Sequence, residues 1–166
     1  MKTKKLTRLA LLTALALIIF IIELQFPDII PLPGVKLGLA NIITVYAVYK
    51  FSAKEVAMIV VSRVFLGSVF GGNISALPYS MSGALLCLVG MLLIKKAVPM
   101  NFIWLSSILG AILHNTGQMA AAVLMTGTFT VMSYYPFLIV SGCIAGAFTG
   151  ICAQLLIKRE LPDKNK

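Results

Sequence analysis

Residues 26–41 read F-P-D-I-I-P-L-P-G-V-K-L-G-L-A-N and interrupt a chain that is otherwise close to continuous apolar helix. Proline lacks an amide hydrogen and glycine tolerates unusual dihedral angles, so this stretch predicts a shaped loop and not a helix interior. It separates the first apolar run from all later ones. We place the outer loop at 26–36, with Asp28 and Lys36 as polar members, and expect it to form the roof or wall of a small-molecule site.

Composition decides the class of protein. Of the 166 residues, 60% are hydrophobic and 11% are charged, whereas soluble domains average about 45–50% and about 25%. This balance predicts an integral membrane protein. At this length we expect residues 1–166 to form a single membrane domain.

Six apolar segments predict an all-α bundle of six transmembrane helices, over residues 6–25, 37–50, 54–71, 79–95, 102–126 and 135–158. The apolar cores of the second and third segments are shorter than the roughly 20 residues that a full span needs. We therefore expect these two helices to extend into their flanks, to be tilted or to be capped by loops that dip inward. An even number of crossings puts both termini on one side.

The basic residues orient this bundle. With a cytoplasmic N-terminus, the outer loops contain only Lys36, and the inner segments contain twelve of the fourteen basic residues: Lys2, Lys4, Lys5, Arg8, Lys50, Lys54, Lys95, Lys96, Lys158, Arg159, Lys164 and Lys166. The positive-inside rule favours this orientation. The net charge of +9 thus indicates topology and contact with membrane lipid, not nucleic-acid binding. We expect a multi-pass protein of the cell (cytoplasmic) membrane.

The remaining basic residue, Arg63, falls near the middle of the third apolar segment. An arginine at that depth costs at least about 2.5–3.5 kcal/mol, so it needs a counterpart or water. Glu23, at the outer end of the first helix, is the one acid that could approach. Two interpretations stay open: Arg63 is a structural strut bonded to Glu23 or loop carbonyls, or it faces a cavity and binds an anionic ligand.

A second polar cluster, H-N-T-G-Q at 114–118, lies near the midpoint of the fifth segment. His114 and Gln118 are four residues apart and share a helix face. Together with Asn115 they either make helix-to-helix hydrogen bonds or line a ligand site. Asn41 and Asn73, at outer helix ends, add polar groups to the same half of the bundle.

Small residues indicate helix packing. Gly142, Gly146 and Gly150 repeat every four residues in the sixth segment, and Ala10 and Ala14 make a weaker repeat in the first. Such spacing lets helix backbones approach closely in lipid. It is explained by packing inside the bundle or by contact with a partner protein.

The sequence predicts no metal site, no cofactor and no disulfide framework. The three cysteines show no C-x-x-C spacing and no nearby histidine cluster, so they are expected to pack as small hydrophobic residues. A single histidine supports neither metal binding nor acid–base catalysis.

Several of these stretches also carry a family resemblance. L-P-G-V-K-L-G-L-A-N at 32–41, R-V-F-L-G at 63–67 and H-N-T-G-Q at 114–118 resemble the Gx transporter family, also named heptaprenyl diphosphate synthase component I. The basic start with L-A-L-L-T-A-L-A at 9–16, the long first loop and the entry into the second helix are similar to the substrate-binding S components of energy-coupling factor (ECF) transporters.

The S-component resemblance implies a solute-binding subunit that captures its solute from outside. Such a subunit works with a transmembrane coupling protein and two cytoplasmic ATPases on other chains. The contact with the coupling protein maps onto Ala10 and Ala14. This chain contains no G-x-x-x-x-G-K-[ST] loop, so ATP would be hydrolysed elsewhere.

The enzymatic family name meets a chemical objection. Prenyl diphosphate synthases of the usual kind hold magnesium with D-D-x-x-D motifs, because diphosphate transfer needs clustered oxygen ligands. The two aspartates here, Asp28 and Asp163, are far apart. We therefore expect no catalysis by this chain.

The favoured function is the S subunit of an ECF-like importer for a small anionic or amphipathic solute. Its expected site residues are Arg63, His114, Asn115, Gln118, Asn41, Asn73 and Lys36. The alternative is a non-catalytic membrane accessory subunit of isoprenoid or quinone synthesis. A self-contained carrier is disfavoured, because the sequence lacks acids in the middle of its apolar segments for proton coupling and shows no clear internal repeat.

Overall fold

The computed structural model describes residues 2–26 and 38–160, and within them the chain is entirely helical, without strands. Three short 3₁₀ segments, Ile74–Ala76, Met100–Phe102 and Phe129–Tyr134, precede the last three helices. The six α-helices are α1 (Lys2–Glu23), α2 (Asn41–Lys50), α3 (Ala53–Phe70), α4 (Leu77–Ala97), α5 (Ile103–Thr126) and α6 (Tyr135–Glu160). The prediction of an all-α chain with six helices is confirmed for this part of the chain.

Local chemistry sets several helix ends. α3 begins with a capping box, in which Ser52 and Glu55 satisfy each other's backbone amides that a helix start would otherwise leave unbonded. Pro78 lies in the first turn of α4, where its missing amide hydrogen costs nothing. α5 ends at Gly127, whose φ of 66° is the left-handed conformation that stops many helices.

Four stretches of the described residues are long and apolar enough to cross a membrane: Thr3–Glu23, Ile74–Ala97, Met100–Thr126 and Phe129–Glu160. α2 has 10 residues and so rises about 15 Å, half of a hydrocarbon core of about 30 Å. α3 has 18 residues but includes Lys54, Glu55 and Arg63. Length and composition thus support a multi-pass protein with four crossings, and six crossings stay a prediction.

The helices α4, α5 and α6 form the most closely packed part of the bundle. A Cβ on Gly146 would lie 2.8 Å from the Cα of Ile108, and one on Gly150 would lie 2.6 Å from the Cα of Trp104. The repeated glycines of α6 therefore pack against α5, with Asn115 of α5 beside Gly142. Of the two explanations for this repeat, the structure supports packing inside the bundle.

Charged residues gather at one end of the bundle. Lys5 of α1 pairs with Glu55 of α3, and Lys50 of α2 pairs with Glu160 of α6 at 3.1 Å. The hydrogen bond from the Lys5 ammonium is the main reason that the pKa of Glu55 falls to about 2. This basic end holds the start of α1 and the end of α6, so the two ends of the described chain lie on the same side.

α1 packs mainly against α3, and its outward face is apolar. Ala10 and Ala14 are both exposed on that face, beside the exposed side chains of Leu11 and Leu15. Their accessibility is what a helix-to-helix contact with another chain would require. The partner-interface prediction for these alanines stays a prediction.

Candidate functional site

A cavity of about 230 Å³ lies at the end of the bundle opposite the basic end. It lies between the last turns of α1 and α3, the first turns of α2 and α4, and the middle of α5. The residues that line it are Phe20, Glu23, Leu24, Gly38, Ala40, Asn41, Arg63, Val64, Gly67, Ser68, Gly71, Asn73, Ala76, Ser80 and His114. We call this space the larger cavity.

Arg63 is the most unusual group in the larger cavity. Its side chain is 9% exposed, and it donates one long hydrogen bond of 3.4 Å from Nη2 to Oδ1 of Asn41. The buried Nε has no hydrogen-bond partner among the described residues. A guanidinium offers five donors, and leaving a buried donor unpaired costs about 1–3 kcal/mol. The described chain therefore leaves hydrogen-bonding capacity at Arg63 that a ligand could use.

Glu23 fixes the entry to α2. Its carboxylate is buried and accepts hydrogen bonds from the backbone amides of Gly38 at 2.6 Å and Leu39 at 3.0 Å. Gly38 adopts a φ of 67°, the left-handed region that favours glycine. The sequence predicted that α2 would begin at residue 37, but the helix begins at Asn41. The bonds to Glu23 explain this difference. Glu23 thus binds the backbone that leads into α2. Among the described contacts, no direct ion pair joins Glu23 to Arg63.

We expect Glu23→Ala to lower the free energy of unfolding by about 1.5–3 kcal/mol, since hydrogen bonds to a charged group are worth about that much. Glu23→Gln should have a smaller effect, because the amide keeps one carbonyl acceptor. Thermal unfolding in detergent measures the loss, and hydrogen exchange at residues 38–42 locates it. Glu160→Gln, which changes an exposed carboxylate at the other end of the bundle, is the matched control. Equal stability of Glu23→Ala and the parent would contradict this role.

A smaller cavity of about 80 Å³ runs between α2, α4, α5 and α6. Its walls are rich in small and polar residues, among them Ser107 and Thr149, whose hydroxyls are 3.1 Å apart. Thr44 of α2 also lines it, and the buried Thr44 hydroxyl has no described hydrogen-bond partner. Gly38, Asn41 and His114 line both cavities, so the two spaces share a wall.

His114 occupies this shared wall because α5 passes very close to α4. A Cβ on Gly83 would lie 3.2 Å from Cε1 of His114 and 2.7 Å from Cγ of Gln118. The two side chains thus share a face, as the spacing predicted, but have different surroundings. His114 lines both cavities, and Gln118 packs on α4 and lines neither.

Of the other expected site residues, Asn73 and Asn115 each line one cavity and also make a hydrogen bond that supports the fold. Asn73 lines the larger cavity while its Oδ1 accepts from the Ala76 amide at 3.1 Å. Asn115 lines the smaller cavity, but its Nδ2 donates to the Leu138 carbonyl at 2.6 Å and so also ties α5 to α6. Lys36 and most of the outer loop lie outside the described residues. The structure thus brings Asn41, Arg63, Asn73 and His114 together, and whether they bind a solute stays a prediction.

Sequence reasoning missed Thr44 as a cavity residue. A threonine within an apolar helix is common, and its hydroxyl often bonds the carbonyl four residues earlier. The available signal was its position three residues after Asn41, on the same face of α2.

The fold defines a helical membrane protein, and its described residues line two adjoining cavities. The chain belongs to the heptaprenyl diphosphate synthase component I family, whose model matches residues 12–156. Neither a curated protein nor a solved structure matches the chain significantly.

Proposed function

We propose that this protein is the membrane-embedded substrate-binding subunit of an ECF-like importer. The observation that carries the proposal is the larger cavity, where the buried Arg63 lies beside Asn41, Asn73 and His114 at one end of an apolar bundle. Ionisable groups within a membrane bundle are costly and usually mark a solute or ion pathway. An accessory subunit with no solute of its own has no need for such a space.

The chemistry of the cavity favours a solute with an anionic group. Arginine recognises carboxylate and phosphate through planar, charge-assisted hydrogen bonds. The amides of Asn41 and Asn73 offer both donors and acceptors for neutral groups. The larger cavity has a volume of about 230 Å³, a little below the roughly 300–1,000 Å³ of pockets for drug-sized ligands, which suits a compact molecule or the head of an amphipathic one.

The distribution of charges supports capture of the solute from outside. The larger cavity lies opposite the basic end of the bundle, and the positive-inside rule favours a cytoplasmic position for that end. The cavity would then face outward, and the solute would be bound from outside. The exposed Ala10–Ala14 face of α1 is available to a coupling protein, with ATP hydrolysed on other chains, as the resemblance to S components implies.

The second candidate is a non-catalytic accessory subunit for heptaprenyl diphosphate synthesis. The observation that favours it is the family match, because the family's name is that of one component of such a synthase. On that view the chain would bind a synthase partner, and its cavities would have no solute. The two candidates therefore differ in what the purified protein retains.

We expect the protein, purified in lipid nanodiscs and incubated with growth medium, to retain about one small solute per chain. Mass spectrometry identifies and quantifies that solute. His114→Ala should reduce retention about tenfold or more, because His114 lines both cavities. Gln118→Ala is the matched control on the same helix face, and it should retain solute like the parent because Gln118 lines neither cavity.

Retention of no solute by the parent, together with co-purification of a prenyl-transfer enzyme, would contradict transport and support the accessory role. Equal retention by His114→Ala and the parent would move the site away from the cavities.

A further inference from the structure

Two unpartnered polar groups lie on either side of the wall that the cavities share. Arg63 lines the larger cavity and Thr44 lines the smaller one. Arg63 is 9% exposed and Thr44 is 5% exposed. The Arg63 Nε and the Thr44 Oγ1 both lack a hydrogen-bond partner among the described residues. Because unsatisfied buried polar groups are rare in proteins, two at one location call for a common explanation.

Asn41 lies on the wall between these two groups. Asn41 belongs to both linings, and its Oδ1 is the acceptor of the one described hydrogen bond from Arg63. At 3.4 Å that bond is long, since N–H···O distances are usually 2.7–3.2 Å. A carboxylate would compete well for the same guanidinium, because charge-assisted bonds are about twice as strong as neutral ones. Asn41 would then be available to a neutral part of the ligand.

The charge of the larger cavity limits the anion. Arg63 is the one lysine or arginine among its described lining residues, and Glu23 is the one acid. A diphosphate carries at least two negative charges and is usually held by several cations or by magnesium. Here it would meet one guanidinium and a nearby carboxylate, and like charges repel strongly away from water. A single negative charge matches the described site better.

We propose that the two cavities form one bipartite site for a compact monoanion. Arg63 binds the anionic group, and Thr44 hydrogen-bonds a neutral hydroxyl or ring nitrogen at the far end of the ligand. The inference rests on the proposed function, since it assigns the substrate class of the same site. On the described lining, a monoanion fits this site better than a prenyl diphosphate does.

Thermal unfolding of the full chain in detergent tests the proposal with four probes. Para-hydroxybenzoate carries one carboxylate and a distal hydroxyl. Benzoate lacks the hydroxyl, para-hydroxybenzamide lacks the charge, and inorganic pyrophosphate has more charge and no ring. A ligand that binds the folded state raises Tm. We expect para-hydroxybenzoate to raise Tm most, benzoate less, and the amide and pyrophosphate least.

Variants at Thr44 separate binding from structure. Thr44→Val should weaken para-hydroxybenzoate about tenfold, to the level of benzoate, and should leave benzoate itself unchanged. Thr44→Ser keeps the hydroxyl and should behave like the parent. Without ligand, Thr44→Val should unfold at the same or a higher temperature, because it removes an unpartnered buried hydroxyl. If the hydroxyl were needed only for packing, Thr44→Val would unfold at a lower temperature and would bind para-hydroxybenzoate like the parent.

The outcomes distinguish this inference from the proposed function. A larger shift with pyrophosphate than with para-hydroxybenzoate, or no shift with either carboxylate, overturns the monoanion. Equal binding of para-hydroxybenzoate by Thr44→Val and the parent overturns the bipartite site. In each case, retention of a medium solute that depends on His114 would leave the proposed function standing. If the parent retains no solute from the medium, both the proposed function and the bipartite site are overturned.

Discussion

Gly117→Leu is expected to prevent folding of the bundle, because Gly117 is where α5 touches the backbone of α4. A Cβ at this position would lie 2.8 Å from both the Cα of Gly83 and the carbonyl oxygen of Ser82. The Ser82 hydroxyl also donates to the Gly117 carbonyl at 2.9 Å. Both obstructing atoms belong to a helix backbone, so relief requires the helices to separate.

Magnitudes support a large effect. Extra methylene groups in a well-packed core cost about 1–3 kcal/mol even where side chains can adjust. At Gly117 the obstruction is backbone, and helix association in lipid depends on close packing between small residues. We therefore expect Gly117→Ala to lose at least about 3 kcal/mol. Gly117→Leu should lose a large share of the 5–15 kcal/mol that stabilises a typical protein.

Size-exclusion chromatography in mild detergent, followed by thermal unfolding, measures this result. Gly90→Ala, on α4 in the same helix pair, is the matched control. There the added Cβ meets the end of the Leu113 side chain, which can rotate away, and alanine gains up to about 1 kcal/mol of helix propensity. We expect Gly90→Ala to unfold near the parental Tm. If Gly117→Ala and Gly90→Ala behave alike, close backbone contact does not hold α4 to α5.

The sequence predicts the helices well because apolar runs and their polar interruptions are local signals. The sixth helix was expected at 135–158 and is Tyr135–Glu160. The prediction of the second helix was less accurate, because the helix was expected from residue 37 and begins at Asn41. Its start depends on the carboxylate of Glu23, far away in sequence, which bonds the two preceding backbone amides. No local pattern contains that contact.

The site was harder to predict for a related reason. Spacing puts His114 and Gln118 on one face, but the contact of α5 with Gly83 decides which of them faces a cavity. Polarity pointed to Asn115, which also serves as a tie between α5 and α6. It did not point to Thr44, whose importance comes from lacking a partner. Residue type predicts chemistry, whereas a missing hydrogen bond is a property of the fold.

Replacing Arg63 is expected to give the largest change in solute binding. Arg63→Met keeps much of the side-chain volume and removes the charge. Removing one partner of a buried charge pair costs about 2–5 kcal/mol, so the solute retained from growth medium should bind at least about 30-fold more weakly. Arg63→Lys keeps the charge but not the planar fork, and we expect it to fall between Arg63→Met and the parent.

Stability distinguishes the two interpretations of Arg63, because they predict opposite changes in the ligand-free protein. A ligand-binding arginine carries an insertion cost of about 2.5–3.5 kcal/mol and receives one long described hydrogen bond in return. Arg63→Met should then unfold at the same or a higher temperature than the parent while binding is lost. A structural strut would give a lower Tm, with binding reduced only in proportion to the folded fraction. Thermal unfolding and equilibrium dialysis on the same preparations separate these cases. A buried cation with one hydrogen-bond partner among the described residues costs the fold stability unless an anion binds it.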